Sequence, residues 1–248
     1  MTNTLAPIAT MGMNAETWQT TTDATGMLEH LFGMRSPDSV LPEPRPVWLY
    51  LLACARRAWP QLPWVMRMLV EVAELLPDRH PIDGRLKSAA TAAAESLIGN
   101  EDPDEALAEA EQTLSLAGRS RPYTVNEVIP EAKTWVGLAH LIYFPFYGGT
   151  PLFRRIPDEF HSADLVREVF GNPFQPVPFP YHWKTSDVKA MARGMYRTRD
   201  FSAMPFLADA LQDAGCNDND VLTHCRGEDT HVRGCWVLDG LLDPTDRR

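Results

Sequence analysis

Residues 47–59 read VWLYLLACARRAW and residues 64–76 read WVMRMLVEVAELL, with Pro60 and Pro63 between the two runs. The first run is almost entirely apolar, which is typical of a helix that is buried on most sides. In the second run the apolar residues recur with the spacing of one helical face. Two helices joined by so short a turn predict an αα-hairpin at the centre of an N-terminal core.

Similar patterns extend over most of the chain and predict an all-α fold of about ten helices, a multi-helix bundle with a small C-terminal helical module. Asp23, Asp102 and Ser162 stand where helix N-caps are expected. Thr185 or Ser186 is predicted to cap a helix that runs to about residue 197, and Ser202 one that runs to about residue 214. The four prolines of 36–46 predict a linker before the helix that begins at Val47.

The predicted organisation is a flexible arm over residues 1–14, an N-terminal bundle over 15–150 and a C-terminal module over 151–248, the last two either separate or packed as one continuous domain. Residues 173–183 alternate proline with aromatic and aliphatic residues, and we expect them to cross the helices as an extended strap. The aromatic segment Tyr143, Phe144, Phe146 and Tyr147 is either a packing plug or an exposed anchor for a protein partner.

Composition limits the classes of function. Among 248 residues, 44% are hydrophobic and 23% charged, as in ordinary globular proteins. The net charge of −10 without any long basic run disfavours direct binding of nucleic acid. No apolar run approaches the length of a membrane span, and the N-terminus does not resemble a signal peptide. These features predict a cytoplasmic protein.

The tail carries the candidate chemistry. It reads LADALQDAGC over 207–216, VLTHCRG over 221–227 and HVRGCWVLD over 231–239. Thiol and imidazole groups are ligands that zinc prefers, so one hypothesis is a metal site drawn from Cys216, His224, Cys225, His231 and Cys235. The spacing is irregular, however, and adjacent residues of a helix point about 100° apart, so His224 and Cys225 rarely bind one ion together.

Two other interpretations of the tail stay open. The cysteines can be small buried hydrophobes of closely packed short helices, with no cofactor bound. Alternatively, Arg226, His231 and Arg233, with Trp236 beside them, form a polar surface that binds a carboxylate or a phosphate. In a purely structural role, Arg233 would pair with Asp209 or Asp213. No sequence motif indicates a catalytic residue.

The runs 165–176 and 207–242 resemble a family of uncharacterised proteins of planctomycete-type bacteria, whose tails contain segments similar to LADALQDAGC and HVRGCW. The residues around Trp18, 52–59 and 70–74 are similar to the start of the same family. The resemblance implies a helical bacterial cytoplasmic protein and brings no activity with it. We therefore expect a non-enzymatic adaptor, regulatory or immunity-like protein that binds another protein. The alternative is a metal- or thiol-dependent enzyme, or a structural zinc module, centred on the tail.

Overall fold

The computed structural model describes residues 12–32, 44–78, 80–99, 102–119, 161–228 and 230–247. Within these ranges the chain forms eleven α-helices and no β-strand, which confirms the predicted all-α fold. The helices are α1 (Ala15–Thr20), α2 (Ala24–Phe32), α3 (Pro44–Arg57), α4 (Trp64–Ala73), α5 (Gly84–Gly99), α6 (Pro103–Leu116), α7 (Ala163–Phe170), α8 (Ser186–Thr198), α9 (Met204–Asp213), α10 (Asn219–Arg226) and α11 (Trp236–Leu241). None of the helices in these ranges is long and apolar enough to cross a membrane.

The buried apolar side chains form two clusters. The N-terminal core contains residues of α1 to α7, and the C-terminal core contains residues of α8 to α11 together with Trp183. Helix α7 packs against α2 and α3 although it follows them by more than a hundred residues in the sequence. The apolar stretch 125–144 also predicts a helix, but it lies outside the described residues, as do the aromatic segment at 143–147 and the domain boundary near 150.

Helix α1 begins where the N-terminal arm was predicted to end. Asn14 accepts a hydrogen bond from the Thr17 amide, and the Thr17 hydroxyl accepts one from the Asn14 amide, so the two residues form a capping box. Trp18 is fully buried and its indole nitrogen donates to the Gly171 carbonyl oxygen at 2.9 Å. This contact ties the first helix to the end of α7.

The predicted N-terminal αα-hairpin is present, but its helices begin and end at residues other than those predicted. Helix α3 begins at Pro44, so the prediction of a linker that runs to Pro46 is wrong. Proline is accommodated in the first helical turn because the amide hydrogen it lacks has no partner there. Helix α4 ends at Ala73 rather than at the predicted residue 76, and 74–78 form a series of turns. These turns carry two buried acids, Glu74 and Asp78.

The proline-aromatic segment lies against the C-terminal core. Phe179 packs edge-on against Trp183 and Trp236, with ring centroids 6.1 and 5.9 Å apart. A Cβ atom added at Gly240 would lie 2.3 Å from the Phe179 ring. The ring therefore packs directly against the backbone of α11 at this glycine, where any side chain would overlap it. Tyr181 points outward and is 88% exposed. The strap is thus held by alternate aromatic side chains, as its sequence pattern predicts.

The C-terminal core is formed by four short helices. Thr185 caps α8 as predicted, whereas Ser202 does not cap α9. The N-cap of α9 is Ala203, which offers no side-chain acceptor, and the Ser202 amide instead donates to Asp200. A proline in the first turn of α9 removes one of the amides that a cap would have to satisfy.

Buried ionic groups connect the two cores. Asp78 accepts hydrogen bonds from Arg45 at 2.8 Å, Tyr196 at 2.7 Å and Arg233 at 3.0 Å. Arg45 in turn binds Asp239 of α11. Burial lowers the pKa of Arg45, but the hydrogen bond and charge of Asp239 outweigh it and raise that pKa above its ordinary value. The predicted pairing of Arg233 with Asp209 or Asp213 is wrong, because Arg233 reaches across to the other core.

Candidate functional site

Four potential metal ligands converge where the two cores meet. Each of Glu168, His224, His231 and Cys235 offers one ligand atom, and these four atoms all lie within 4.8 Å of one another. Glu168 and Cys235 are buried, while the side chains of His224 and His231 are 14% and 6% exposed. We call this group the Glu-His-His-Cys cluster.

The four residues come from four local structures. Glu168 lies in α7, whose N-terminus is capped by Ser162 and whose apolar face is buried. His224 lies in α10, which Asp218 caps. His231 follows in the connection between α10 and α11, and Cys235 is the N-cap residue of α11.

The glycine before Cys235 is required by the backbone and by the packing. Gly234 has φ of 99°, in the region that favours glycine, and a Cβ atom there would lie 2.9 Å from Leu49. Gly227, in contrast, has φ of −65° and ends α10 in an ordinary conformation. Of these two glycines, only Gly234 has a backbone conformation that favours glycine.

The distances within the cluster are those of direct polar contacts. His224 Nε2 lies 3.1 Å from Cys235 Sγ and 3.3 Å from Glu168 Oε2. His231 Nδ1 lies 3.3 Å from Glu168 Oε1, and the Val232 amide donates to the same oxygen at 3.1 Å. The carboxylate thus bridges both imidazoles, and it is held in place by a backbone amide.

Electrostatics at the cluster favour a cation. Burial, with the charge of Glu168 next in importance, raises the pKa of the Cys235 thiol well above its ordinary value. Without a cation the sulfur therefore carries its proton beside the carboxylate. A divalent metal ion would offset both the burial and the negative charge of Glu168, and it would deprotonate the thiol.

Aromatic rings enclose the histidines. The His224 ring lies 4.9 Å from the His231 ring and 5.2 Å from that of Trp236, centroid to centroid. The Phe201 ring packs against His231 from another side. His231 Nε2 is buried and has no hydrogen-bond partner among the described residues. These ring contacts restrict the orientation of both imidazoles, and both side chains are largely shielded from solvent.

Three of the five metal ligands considered from the sequence are brought together: His224, His231 and Cys235. Cys216 and Cys225 instead lie in the C-terminal core as buried apolar residues, and burial raises the pKa of Cys225 to about 12. The prediction that His224 and Cys225 do not share one ion agrees with this geometry. All four cysteines of the chain are free thiols.

Sequence reasoning missed Glu168. The signal was an acidic residue on the apolar face of α7, between Val166 and Val169, both of which are buried. A carboxylate at such a position needs a partner, because a buried unpaired charge is costly. The sequence alone did not indicate which partner it would find.

The residues predicted to bind an anion face different partners. Arg226 is partly exposed and pairs with Asp209 and Gln212, each at 2.8 Å, whereas Arg233 pairs with Asp78. Trp236 packs against Phe179 and beside Gly171. The remaining predicted binding residues, Tyr143, Phe144, Phe146 and Tyr147, lie outside the described residues. The two arginines therefore do not form one surface with each other.

No protein-family model, no curated protein and no solved structure matches the chain.

Proposed function

We propose that this chain is a metalloprotein in which Glu168, His224, His231 and Cys235 bind one zinc ion, and that the ion joins the two cores. The observation that carries the proposal is the convergence of four ligand atoms of suitable type within 4.8 Å. The proposal develops the structural zinc module that the tail suggested as an alternative.

The donor set selects the metal. Thiolate and imidazole ligands favour zinc and other borderline-soft ions over magnesium and calcium, which prefer oxygen. Bond lengths of about 2.0–2.3 Å in a tetrahedron place neighbouring ligand atoms about 3.3–3.6 Å apart. The contacting ligand atoms of the cluster are 3.1, 3.3 and 3.3 Å apart, so these pairs require shifts of only a few tenths of an ångström. The other pairs lie within 4.8 Å of one another and would approach by up to about 1 Å.

Four protein ligands point to a structural role. A catalytic zinc site keeps one position open for water or substrate, whereas a closed tetrahedral site holds the fold together. Glu168 is anchored in the N-terminal core through α7, and Cys235 belongs to the C-terminal core. A metal ion bound by both would contribute its binding free energy to the association of the two cores.

The same proposal favours a protein without enzymatic activity. A buried ion with a full set of protein ligands has no free position for a substrate. Free thiols and a metal thiolate suit a reducing compartment, which supports a cytoplasmic location. Binding to a protein partner stays a prediction, because the aromatic segment 143–147 that suggests it lies outside the described residues.

Metal analysis of protein purified without metal-affinity steps tests the proposal. We expect about one zinc per chain, with Cys235→Ser and His231→Ala losing at least nine tenths of it. Cys216→Ser is the matched control, because Cys216 is also a buried cysteine of the C-terminal core, and it should retain the metal.

Cobalt substitution identifies the ligands independently. The Co²⁺ form of the wild-type protein should show a sulfur-to-metal charge-transfer band and the absorption of a tetrahedral site, and Cys235→Ser should lose the charge-transfer band. The proposal fails if wild-type protein loaded with zinc and then dialysed retains none, or if the cobalt spectrum of Cys235→Ser equals that of the wild type.

A further inference from the structure

A cavity of about 250 Å³ opens beside the Glu-His-His-Cys cluster, between α3 and the connection that carries His231. Part of its lining is apolar and comes from both cores: Leu49, Leu52, Ala53, Leu165, Phe201 and Val232. The volume lies just below the range of about 300–1,000 Å³ that is typical of small-molecule sites. The cavity suits a small ligand with an apolar part.

The remaining lining is strongly cationic. Four arginines line the cavity, namely Arg56, Arg57, Arg199 and Arg233, against a single carboxylate, that of Glu74. Such an excess of positive charge is notable in a chain with a net charge of −10. A local positive field in a partly enclosed site attracts anions, because low-dielectric walls strengthen it.

The acids that pair with these arginines are shared: Asp78, outside the lining, pairs with Arg233 and also with Arg45. Glu74 binds Arg56 through two hydrogen bonds of 2.7 and 2.8 Å and also pairs with Arg199. Burial, and after it the neighbouring charges of Arg56 and Arg233, lower the pKa of Arg199 in spite of its pairing with Glu74. The exposed side chain of Arg57 has no ion pair or hydrogen bond among the described residues.

Two residues that line the cavity each have a buried nitrogen without a partner in the part of the chain that the structure describes. Arg233 Nε and His231 Nε2 have no hydrogen-bond partner among the described residues, and both residues line the cavity. The His231 side chain is more than nine-tenths buried, and its Nδ1 lies 3.3 Å from Glu168 Oε1. Buried polar groups are nearly always paired in native proteins, so a ligand with acceptor oxygens fits these residues.

We propose that the cavity binds a small amphipathic anion, with a carboxylate or phosphate head held by the arginines and an apolar group against the leucines and Phe201. This inference goes beyond the zinc site and does not depend on it, because the head group would be recognised mainly by arginines of α3 and of the segment after α8. Arginine suits such heads because its planar guanidinium binds them through two hydrogen bonds.

Calorimetric titration at low ionic strength tests this proposal with defined probes. Octanoate and octyl phosphate should bind. Octanol, which lacks the anionic head, and inorganic phosphate, which lacks the apolar chain, should each bind at least ten-fold more weakly. If only octyl phosphate binds, the head is a phosphate; if only octanoate binds, it is a carboxylate. Either result supports the amphipathic site, and the absence of binding by both probes overturns it.

Two variants locate the binding site. Arg57→Gln removes an exposed charge that has no ion pair within the described ranges, so we expect the fold to be retained, and binding of the better probe should weaken about ten-fold. Arg226→Gln is the matched control outside the cavity and should leave binding unchanged. Equal affinities of wild type and Arg57→Gln for the better probe, or equal binding of octanol and the better probe, contradict the proposal.

Titrations of both the zinc-loaded and the chelator-treated protein keep the two proposals separable. Binding of octanoate or octyl phosphate by the zinc-loaded protein supports the cavity whether or not the chelated form binds it. If metal analysis fails to find zinc, the same titration on the purified protein still decides the cavity proposal, because its arginines do not belong to the cluster.

Discussion

Glu168 Oε2 lies 3.3 Å from His224 Nε2, and the two residues belong to helices that pack into different cores. A contact of this kind lets one bound ion stabilise the whole chain, because separating the cores would break the coordination. Within the described ranges, further polar connections between the cores are centred on Asp78 and on Glu74.

Removal of the metal should lower the thermal stability of the wild-type protein. At a free zinc concentration 1,000-fold above its Kd the ion contributes about 4.1 kcal/mol, and each kcal/mol corresponds to about 2–4 °C in a chain of this size. We therefore expect chelation to lower Tm by about 10 °C, measured by circular dichroism. Cys235→Ser should show no change of Tm with chelator. An equal shift in this variant would place the zinc elsewhere.

Asp78→Asn should be strongly destabilising. Asp78 is the shared acceptor of Arg45, Arg233 and Tyr196. Its neutralisation removes the counter-charge of Arg233 and one of the two counter-charges of Arg45. Breaking a buried ion pair in this way costs about 3–5 kcal/mol, to be measured by urea unfolding. The control is Asp209→Asn, which removes the exposed pair with Arg226 and should cost less than about 1 kcal/mol. Similar losses for the two variants would contradict this account.

Gly240→Ala should loosen the strap. The added methyl group would lie 2.3 Å from the Phe179 ring, and overpacking of this kind costs about 1–3 kcal/mol. The matched control is Gly194→Ala in α8, where a Cβ atom meets nothing within 4 Å. That change should stabilise the protein by about 0.5–1 kcal/mol, because alanine is the better helix former. Urea unfolding of both variants tests the expected opposite signs.

Stability should fall in alkaline solution through Cys54. Burial raises the pKa of this thiol to about 12 in the folded protein, from an ordinary value of 9.0. Between these two values the unfolded chain has lost the proton and the folded chain has kept it, so stability is complete below pH 9 and declines above it. The decline from this thiol approaches about 1.4 kcal/mol per pH unit.

Urea unfolding of the wild type and of Cys54→Ala between about pH 8 and pH 11 measures this contribution. The variant should have a smaller slope of unfolding free energy against pH above the ordinary thiol pKa of 9.0, whatever its absolute stability. Parallel curves for the two proteins would show that Cys54 does not titrate on unfolding in this range. Burial also raises the pKa of Tyr196, so some alkaline destabilisation should persist in the variant.

Much of the helical structure was predictable because its signals are local. Asp102, Ser162 and Thr185 each cap the helix that follows them, as their positions before apolar periodic segments indicated. The errors occurred where local signals are ambiguous. Proline breaks a helix in its interior and favours its first turn, so the sequence did not decide on which side of Pro44 the helix α3 begins.

The sequence by itself determined the fold class, most helix positions and three members of the cluster, because His224, His231 and Cys235 lie within one short segment of the tail. Only the tertiary structure decided that Glu168, 63 residues before His231, completes the cluster and that Cys216 and Cys225 do not belong to it. The physical reason is that helix formation depends on neighbours along the chain, whereas a ligand set depends on which buried faces pack together.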